Sequence, residues 1–471
     1  MYKCLIRGEG GSILSKFHSG RDRGKILELL KKEGAKIHFI GASGIGMYSL
    51  AALSSAKGYA VSGSDRERTD LTEALASMGC KIEIGHRWEN ALGKDLLVYT
   101  LAVNGDNPEL LCAEQEKIPA VSRAEYLGAI MESYNERIGV SGTHGKSTTT
   151  AMLDAIFSKA GLVPTTLVGA RLPHSDSPLR IGNSTHLIYE ACEYKDSFLY
   201  FSPTAAIFTN LELDHVDYFK SLDDMKESFR KAMNMPRLSV YNADDSNLSE
   251  LASESCARTV SFGTAEGADY RALISGGEGG FYTLKIRHGA RDIIKVRLSV
   301  PGRFNAMNAA GAAALSLELG ILPSDVEYAL SSFCGIERRL ELIGEYKGAP
   351  VYYDYAHHPT EIENAVRTVK ELVGGPVTVI FKPHTYSRTA GLMDGFVRSL
   401  SLAEQVLLCE ISAIRESAIE GVSSEVLASL IGKSCVLIKE NGFLNEIRDT
   451  AAIIIMGAAN LDAVKSEIFG K

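Results

Sequence analysis

A chain of 471 residues, 45% hydrophobic and 23% charged, is longer than one core usually organises, so two to four globular domains are expected; a single small module, a disordered tail and a long coiled coil are excluded. The formal net charge of -8 offers no global field to nucleic acid or an anionic membrane, so any phosphate must be held by a local site. Eight cysteines with no C-x-x-C unit, and apolar runs far short of the roughly 20 residues that span a bilayer, point to a reduced, cytoplasmic protein.

Residues 1–35 mix Lys3, Arg7, Lys16 and Arg21 with Glu9, Asp22 and Glu28. They lack the apolar run and cleavage site of a signal peptide and are taken as an extension. From Lys36 onward, strand-like apolar runs alternate with Ala/Leu/Glu/Lys-rich helical segments, the rhythm of βαβ units, so doubly wound parallel α/β sheets are expected. The first strand, Lys36–Ile40 (KIHFI), runs into Gly41-Ala42-Ser43-Gly44-Ile45-Gly46 and a helix-like MYSLAALSSAK. Such a loop lets backbone N–H groups approach a pyrophosphate. Its G-x-x-G-x-G spacing differs from the dinucleotide fingerprint, although Asp65 closes the next strand at the place where an acid meets a ribose. A nucleotide diphosphate is favoured over a nicotinamide cofactor or an empty turn. A helix is expected at Leu71–Met78 and a strand within Asp95–Thr100 (DLLVYT), and the polar MESYNE stretch at 131–136 marks a boundary.

Next comes Ile138–Thr150, IGVSGTHGKSTTT, a short strand leading through Gly142, Thr143, His144, Gly145, Lys146 and Ser147 into a helix beginning near Ser147. This is a phosphate loop: the glycines let N–H groups converge on phosphate oxygens, Lys146 neutralises β- and γ-phosphates, and the Ser147 hydroxyl suits Mg²⁺. Val140 stands where the general pattern has its outer glycine. Two strand-like segments, Glu190–Phe198 (EACEYKDSF) and Ala205–His215 (AAIFTNLELDH), should end beside this loop. There Glu193 and His215 could complete a magnesium site, with Glu190, Asp196 and Asp214 as competitors. A lone histidine at a strand end is more often structural, but its place downstream of a phosphate loop favours the metal. Thr259–Val300 breaks the βαβ rhythm, and the runs flanking His288-Gly289 predict an antiparallel hairpin. In Pro301–Ala309 (PGRFNAMNA), Asn305 and Asn308 could read a base edge or cap the following helix, and the cap is favoured. A second boundary lies near Cys334–Arg339 (CGIERR). Strands at Val377–Phe381 and Ile453–Met456 continue the alternation, and Arg338, Arg339, Asp354, His357, His358, His384 and Arg388 form a cation-rich set at strand ends, suited to phosphates and a carboxylate.

In their order these motifs resemble the Mur ligases of peptidoglycan synthesis, from Lys36 to the C-terminus. KIHFIGASGIGM with SGSD, SGTHGKSTTT, TNLELDHVDYF and PGRFNAMNAAGA are each similar to a family segment. DYAHHPTEI followed by KPHTYSRT looks like the branch that joins L-alanine to UDP-N-acetylmuramate. The resemblance implies three domains: residues 1–135, Rossmann-like, for the UDP-sugar; 136–336, a P-loop ATPase-type mixed sheet; and 337–471, Rossmann-like, for the amino acid. It implies ATP-dependent amide formation through an acyl phosphate, with ATP and Mg²⁺ required, no nucleic-acid or membrane partner, and a monomer or homodimer. By residue it implies Gly142, Thr143, His144, Gly145, Lys146, Ser147 and Thr148 around the ATP phosphates, and Asn305, Arg338 and Asp354 on the rest of ATP. It implies Ser147, Glu193 and His215 on metal, with Lys146, Glu193 and His215 catalytic. Gly44, Gly46, Asp65 and His86 would contact the UDP-sugar, and His357, His384 and Arg388 the amino acid and acyl phosphate. The chain departs from the family pattern at Ala42-Ser43 (more often Ile-Gly), Phe304 (usually His) and Thr385 (often Arg). A relative that adds another amino acid or recycles murein tripeptide is the nearer alternative; a nicotinamide oxidoreductase is the remoter one, because hydride transfer needs no γ-phosphate site.

Overall fold

The structure, a computed structural model, describes residues 23–470 apart from 173, 174, 176, 414 and 415. Residues 1–22 of the extension lie outside the described residues. Its remainder includes a helix, Arg23–Leu30, whose Ile26 is buried in the first core and whose Leu30 carbonyl accepts from the Tyr59 hydroxyl at 2.7 Å.

Three sheets follow in chain order. The first has five strands, β1 Lys36–Ile40, β2 Ala60–Asp65, β3 Lys81–Ile84, β4 Leu96–Tyr99 and β5 Ala120–Ser122, all parallel and ordered β3-β2-β1-β4-β5. The strand order reverses between β1 and β4, so a crevice opens beyond their carboxyl ends, where open α/β sheets bind ligands. The second sheet has ten strands: β6 Glu136–Ser141, β7 Thr165–Leu167, β8 Leu179–Arg180, β9 His186–Glu190, β10 Ala205–Phe208, β11 Leu238–Asn242, β12 Arg258–Gly263, β13 Tyr270–Gly276, β14 Tyr282–His288 and β15 Arg291–Arg297. Their order is β15-β14-β13-β12-β11-β10-β6-β9-β7-β8, which places β6 between two parallel neighbours. The expected hairpin is present as β14 and β15, antiparallel across His288 and Arg291. The third sheet orders β16 Glu341–Tyr346, β17 Ala349–Asp354, β18 Val377–Phe381, β19 Gln405–Leu408, β20 Cys435–Leu437 and β21 Ala452–Met456 as β16-β17-β21-β18-β19-β20, antiparallel only at its β16 edge.

Strands such as β18 (VTVIF) and β21 (AIIIM) are buried at every position, because helices cover both faces of a parallel sheet and no alternation is needed. Expected strands and helices at KIHFI, DLLVYT, Val377–Phe381, Ile453–Met456, Leu71–Met78 and Ser147–Lys159 fall within about two residues of those observed. Two expected strands are shorter than read: Ala205–His215 is strand only over Ala205–Phe208. Glu190–Phe198 is strand only at Glu190; residues 194–200 form a 3₁₀ turn in which Lys195 and Asp196 adopt left-handed φ of 51° and 56°. That reversal keeps Glu193 beneath the phosphate loop. The helix Arg123–Ile130 approaches this turn so closely that a Cβ on Gly128 would stand 2.2 Å from the Tyr200 carbonyl oxygen, so the first and second units pack backbone to backbone there. Among the described residues no helix is long and apolar enough to cross a membrane.

Candidate active site

β6 ends at Ser141 and the helix Lys146–Lys159 starts after four intervening residues, so the loop turns at the carboxyl edge of the central sheet. Two glycines are required by space as well as by backbone angle. Gly142 has φ 135° and a Cβ there would lie 2.0 Å from Thr209 Oγ1; Gly145 has φ 81° and its Cβ would lie 2.4 Å from Asn308 Oδ1. The loop is pinned from the segment after β10: Thr143 N–H donates to the Asn210 carbonyl at 3.1 Å and His144 N–H to Asn210 Oδ1 at 2.8 Å. Thr209 Oγ1 donates to the His144 carbonyl at 2.6 Å.

Lys146 Nζ folds back onto the loop, donating to the Gly142 and Thr143 carbonyls at 2.5 and 3.1 Å and to both Glu193 oxygens at 3.1 and 3.0 Å. Burial disfavours both charges, yet each sustains the other: Lys146 is raised to about 12 chiefly against Glu193, and the wholly buried Glu193 carboxyl is held below its usual range by Lys146 and His215. His215, at φ 51°, stacks on Tyr194 at 4.7 Å and places Nε2 3.5 Å from Glu193 Oε1. Lys146, Glu193 and His215 thus converge at one end of the loop, which Ser147 follows directly in sequence.

The third unit closes on this cluster. The Arg388 guanidinium holds buried Asp214 through contacts of 2.9 and 3.3 Å, and its third nitrogen lies 3.3 Å from His384 Nδ1. Burial opposes ionisation of Asp214, but Arg388, His215 and His357 keep its carboxyl far below the usual range. Glu361, three residues after His358, gathers His144, His357 and Arg339 at 3.4, 3.3 and 3.5 Å. His357 and His358 are both lowered to about 4, first by burial, and so stay neutral in the site.

A cavity of about 180 Å³ beside the loop is lined by His144, Gly145, Phe304, Asn308, Arg339 and Asp354 among others. Asp354 accepts from the Leu340 and Ala356 N–H groups at 2.8 and 2.7 Å, and burial raises it to about 6. Asn305 and Arg338 are not brought to this cavity. Asn305 donates to the Pro301 carbonyl at 2.7 Å and lines a separate cavity of about 800 Å³; Arg338, at φ 59°, lays its guanidinium 5.2 and 4.6 Å from the Tyr353 and Tyr355 ring centres. Neither asparagine caps the helix Arg303–Glu318, since Gly302 holds that position without a side-chain bond. Asn308 instead faces Gly145, its Oδ1 filling the space that a Cβ there would need.

In the first unit, a cavity of about 840 Å³ at the β1/β4 crevice is lined by Gly41, Gly44, Asp65, His86 and Thr100. Gly46 lies inside the following helix, where a Cβ would press on Arg123 at 3.2 Å. Asp65 braces the glycine loop, accepting from Ser43 N–H at 2.7 Å. His86 Nδ1 lies 3.1 Å from Glu109, a fully buried carboxyl that burial would raise but that His38, His86 and Asn90 hold well below its usual range. Glu109, Glu212, Glu361 and Asn210 were not singled out from sequence. Only Glu361 left a signal, the third residue of a capping box begun at His358.

One pH dependence follows. Burial lowers His144, but the Glu212 and Glu361 carboxylates, 3.5 and 3.4 Å from its ring nitrogens, outweigh it and raise the imidazole to about 9 from 6.5. A raised base stabilises the fold fully below its unfolded pKa and loses that contribution as pH climbs through the folded one. Melting temperature is therefore expected to fall between about pH 6.5 and 9, and His144→Asn should flatten that slope in a calorimetric pH series.

The chain matches three family models: Mur ligase family, catalytic domain, at residues 36–135; Mur ligase middle domain at 140–316; and Mur ligase, glutamate ligase domain, at 338–465. Among curated relatives, the UDP-N-acetylmuramate--L-alanine ligase of Caldicellulosiruptor saccharolyticus is 40% identical over 405 residues, covering 85% of this chain and 89% of the relative. The protein of that name from Clostridium novyi is 38% identical over 443 residues, covering 92% and 96%. The solved UDP-N-acetylmuramate-alanine ligase MurC of Thermotoga maritima superposes with a TM-score of 0.78 at 28% identity, covering 92% of this chain and 98% of that one. With a phosphate loop, a closing third unit and a crevice in the first all in family order, the chain belongs to the Mur ligase family.

Proposed function

We propose that the chain ligates L-alanine to the lactyl carboxylate of UDP-N-acetylmuramate, with ATP hydrolysed to ADP and phosphate, in peptidoglycan precursor synthesis. The observation that carries this is the chain of contacts from the Lys146–Glu193 pair through His215 and Asp214 to Arg388 and His384 of the third unit. A carboxylate is a poor electrophile and repels the γ-phosphate it must attack, so the site has to neutralise charge and align reactants. Gly142 to Thr148 cradle the ATP phosphates, and Lys146, already 3.0 Å from Glu193, transfers its charge to the γ-phosphoryl group. The lactyl oxygen bonds to γ-phosphorus as the bond to ADP breaks. The alanine amine then adds to the acyl carbon, loses a proton, and phosphate leaves. That proton passes to solvent, and His357, neutral in the site, faces the alanine carboxylate and acyl phosphate together with His384 and Arg388.

Ser147, Glu193 and His215 would hold Mg²⁺; a hydroxyl, a fully buried carboxylate and an imidazole fit a hard divalent ion, which when bound supplies positive charge between the two anions. Asp354, Asn308 and Arg339 bind the rest of ATP, with Asn305 and Arg338 supporting them from the neighbouring cavities. Gly44, Gly46, Asp65 and His86 serve the UDP-sugar. On this reading the domains divide as 1–135, 136–336 and 337–471, and the enzyme is cytoplasmic, a monomer or a homodimer.

An acceptor screen with UDP-N-acetylmuramate and ATP, read by product mass, checks the substrate. L-alanine is expected to exceed glycine in kcat/KM by roughly 10- to 200-fold, the worth of one methyl. Murein tripeptide turning over faster than alanine would reassign the chain to the recycling branch.

A further inference from the structure

Beside the phosphate loop, three groups from three segments turn their donor atoms toward one point: His144 from the loop, Glu212 from the segment after β10, and His358 from the third unit. His144 Nε2 and His358 Nδ1 lie 3.5 and 3.8 Å from the same oxygen, Glu212 Oε2. Ligands on a tetrahedral ion with bonds of about 2.0–2.1 Å stand about 3.3 Å apart, so small side-chain movements complete the set. The two imidazoles are 4.5 Å apart at their centres, and His144 Nε2 is buried without a hydrogen-bond partner.

Two of the three ligands are also held by a second partner. His144 Nδ1 lies 3.4 Å from Glu361 Oε1, the carboxylate–histidine arrangement that fixes a ligating imidazole. His358 Nδ1 accepts a long 3.3 Å contact from Thr360 N–H, which it would exchange for the metal on binding. Glu212 Oε2 is held by the Thr360 hydroxyl at 2.6 Å. Two imidazoles and one carboxylate form a donor set for Zn²⁺ and its neighbours rather than for Mg²⁺.

We propose that His144, Glu212 and His358 form a second metal site, selective for transition ions of the Zn²⁺ class, that ties the phosphate loop to the third unit. His144 and Glu212 line the cavity beside the loop, so an ion there occupies space that the nucleotide needs and holds the units closed without ATP. Metal binding rests on this geometry alone; its antagonism to turnover rests on the nucleotide reading.

The test uses the full-length, metal-free protein in excess Mg²⁺, titrated with CoCl₂ and separately with ZnCl₂. One equivalent of Co²⁺ is expected to give the intense visible bands of a tetrahedral nitrogen–oxygen site, and Zn²⁺ to displace it. His144→Asn, Glu212→Gln and His358→Asn should each weaken Zn²⁺ binding by more than about tenfold, with unchanged circular dichroism confirming the fold. ATP should raise the apparent Kd for Zn²⁺. A near-ultraviolet thiolate charge-transfer band, an octahedral cobalt spectrum in the native protein, or Zn²⁺ affinity unmoved by all three substitutions would overturn the site. Ligase activity in Mg²⁺ alone, measured in parallel, separates that failure from failure of the ligase reading.

Discussion

Lys146→Ala is expected to lower kcat by about a thousandfold or more, with UDP-sugar binding unchanged. The ammonium is the one cation in contact with both Glu193 oxygens among the described residues, and it stands over the two carbonyls of the loop. Removing it leaves the γ-phosphate repelling the attacking carboxylate and strands a wholly buried carboxylate, a loss of about 3–5 kcal/mol when a buried pair is broken from one side. Lys146→Arg is not expected to restore activity: the 2.5 Å approach to the Gly142 carbonyl fits a compact ammonium and has no room for a planar fork. Single-turnover phosphate release measures the chemical step directly. Full ligation by Lys146→Ala would remove the loop from the mechanism.

The second large effect belongs to Arg388→Ala. Asp214 is 3% exposed and is held ionised by a guanidinium from another unit. Without Arg388 the charge must be buried alone or the units must part, so the variant is expected to open, with a raised KM for ATP and a fall in kcat of about a hundredfold. The double variant with Asp214→Ala should recover stability but not activity, because the stranded charge is gone while the contact to His384 is still missing. Small-angle scattering with and without ATP reads the opening, and an unchanged profile for Arg388→Ala would show that the pair does not govern closure.

Much of this was legible in the chain. Continuous apolar runs such as AIIIM announced strands buried on both faces, and Gly-Lys-Ser between a strand and a helix announced the phosphate loop, because both signals are local. What stayed hidden depends on tertiary approach. Glu193 reaches Lys146 only because Lys195 and Asp196 take left-handed conformations that their side chains do not advertise. Asn305 and Asn308 share a helix face, and only the position of Gly145 decides which one meets the loop. Arg338 and Arg339 are neighbours in sequence, but the left-handed backbone at Arg338 sends one onto tyrosine rings and the other to Glu361. Glu212 and Glu361 passed unnoticed because their partners come from distant segments, His144 for both and His358 and Arg339 for one each.

In the proposed reaction the lactyl carboxylate is activated by direct phosphorylation. UDP-N-acetylmuramate labelled with ¹⁸O in that carboxylate, incubated with ATP, Mg²⁺ and L-alanine, tests it by mass spectrometry of the products. One labelled oxygen is predicted in the released inorganic phosphate for each amide formed, with the other retained in the product. Amide formation with unlabelled phosphate, or phosphate release independent of alanine, would contradict the account.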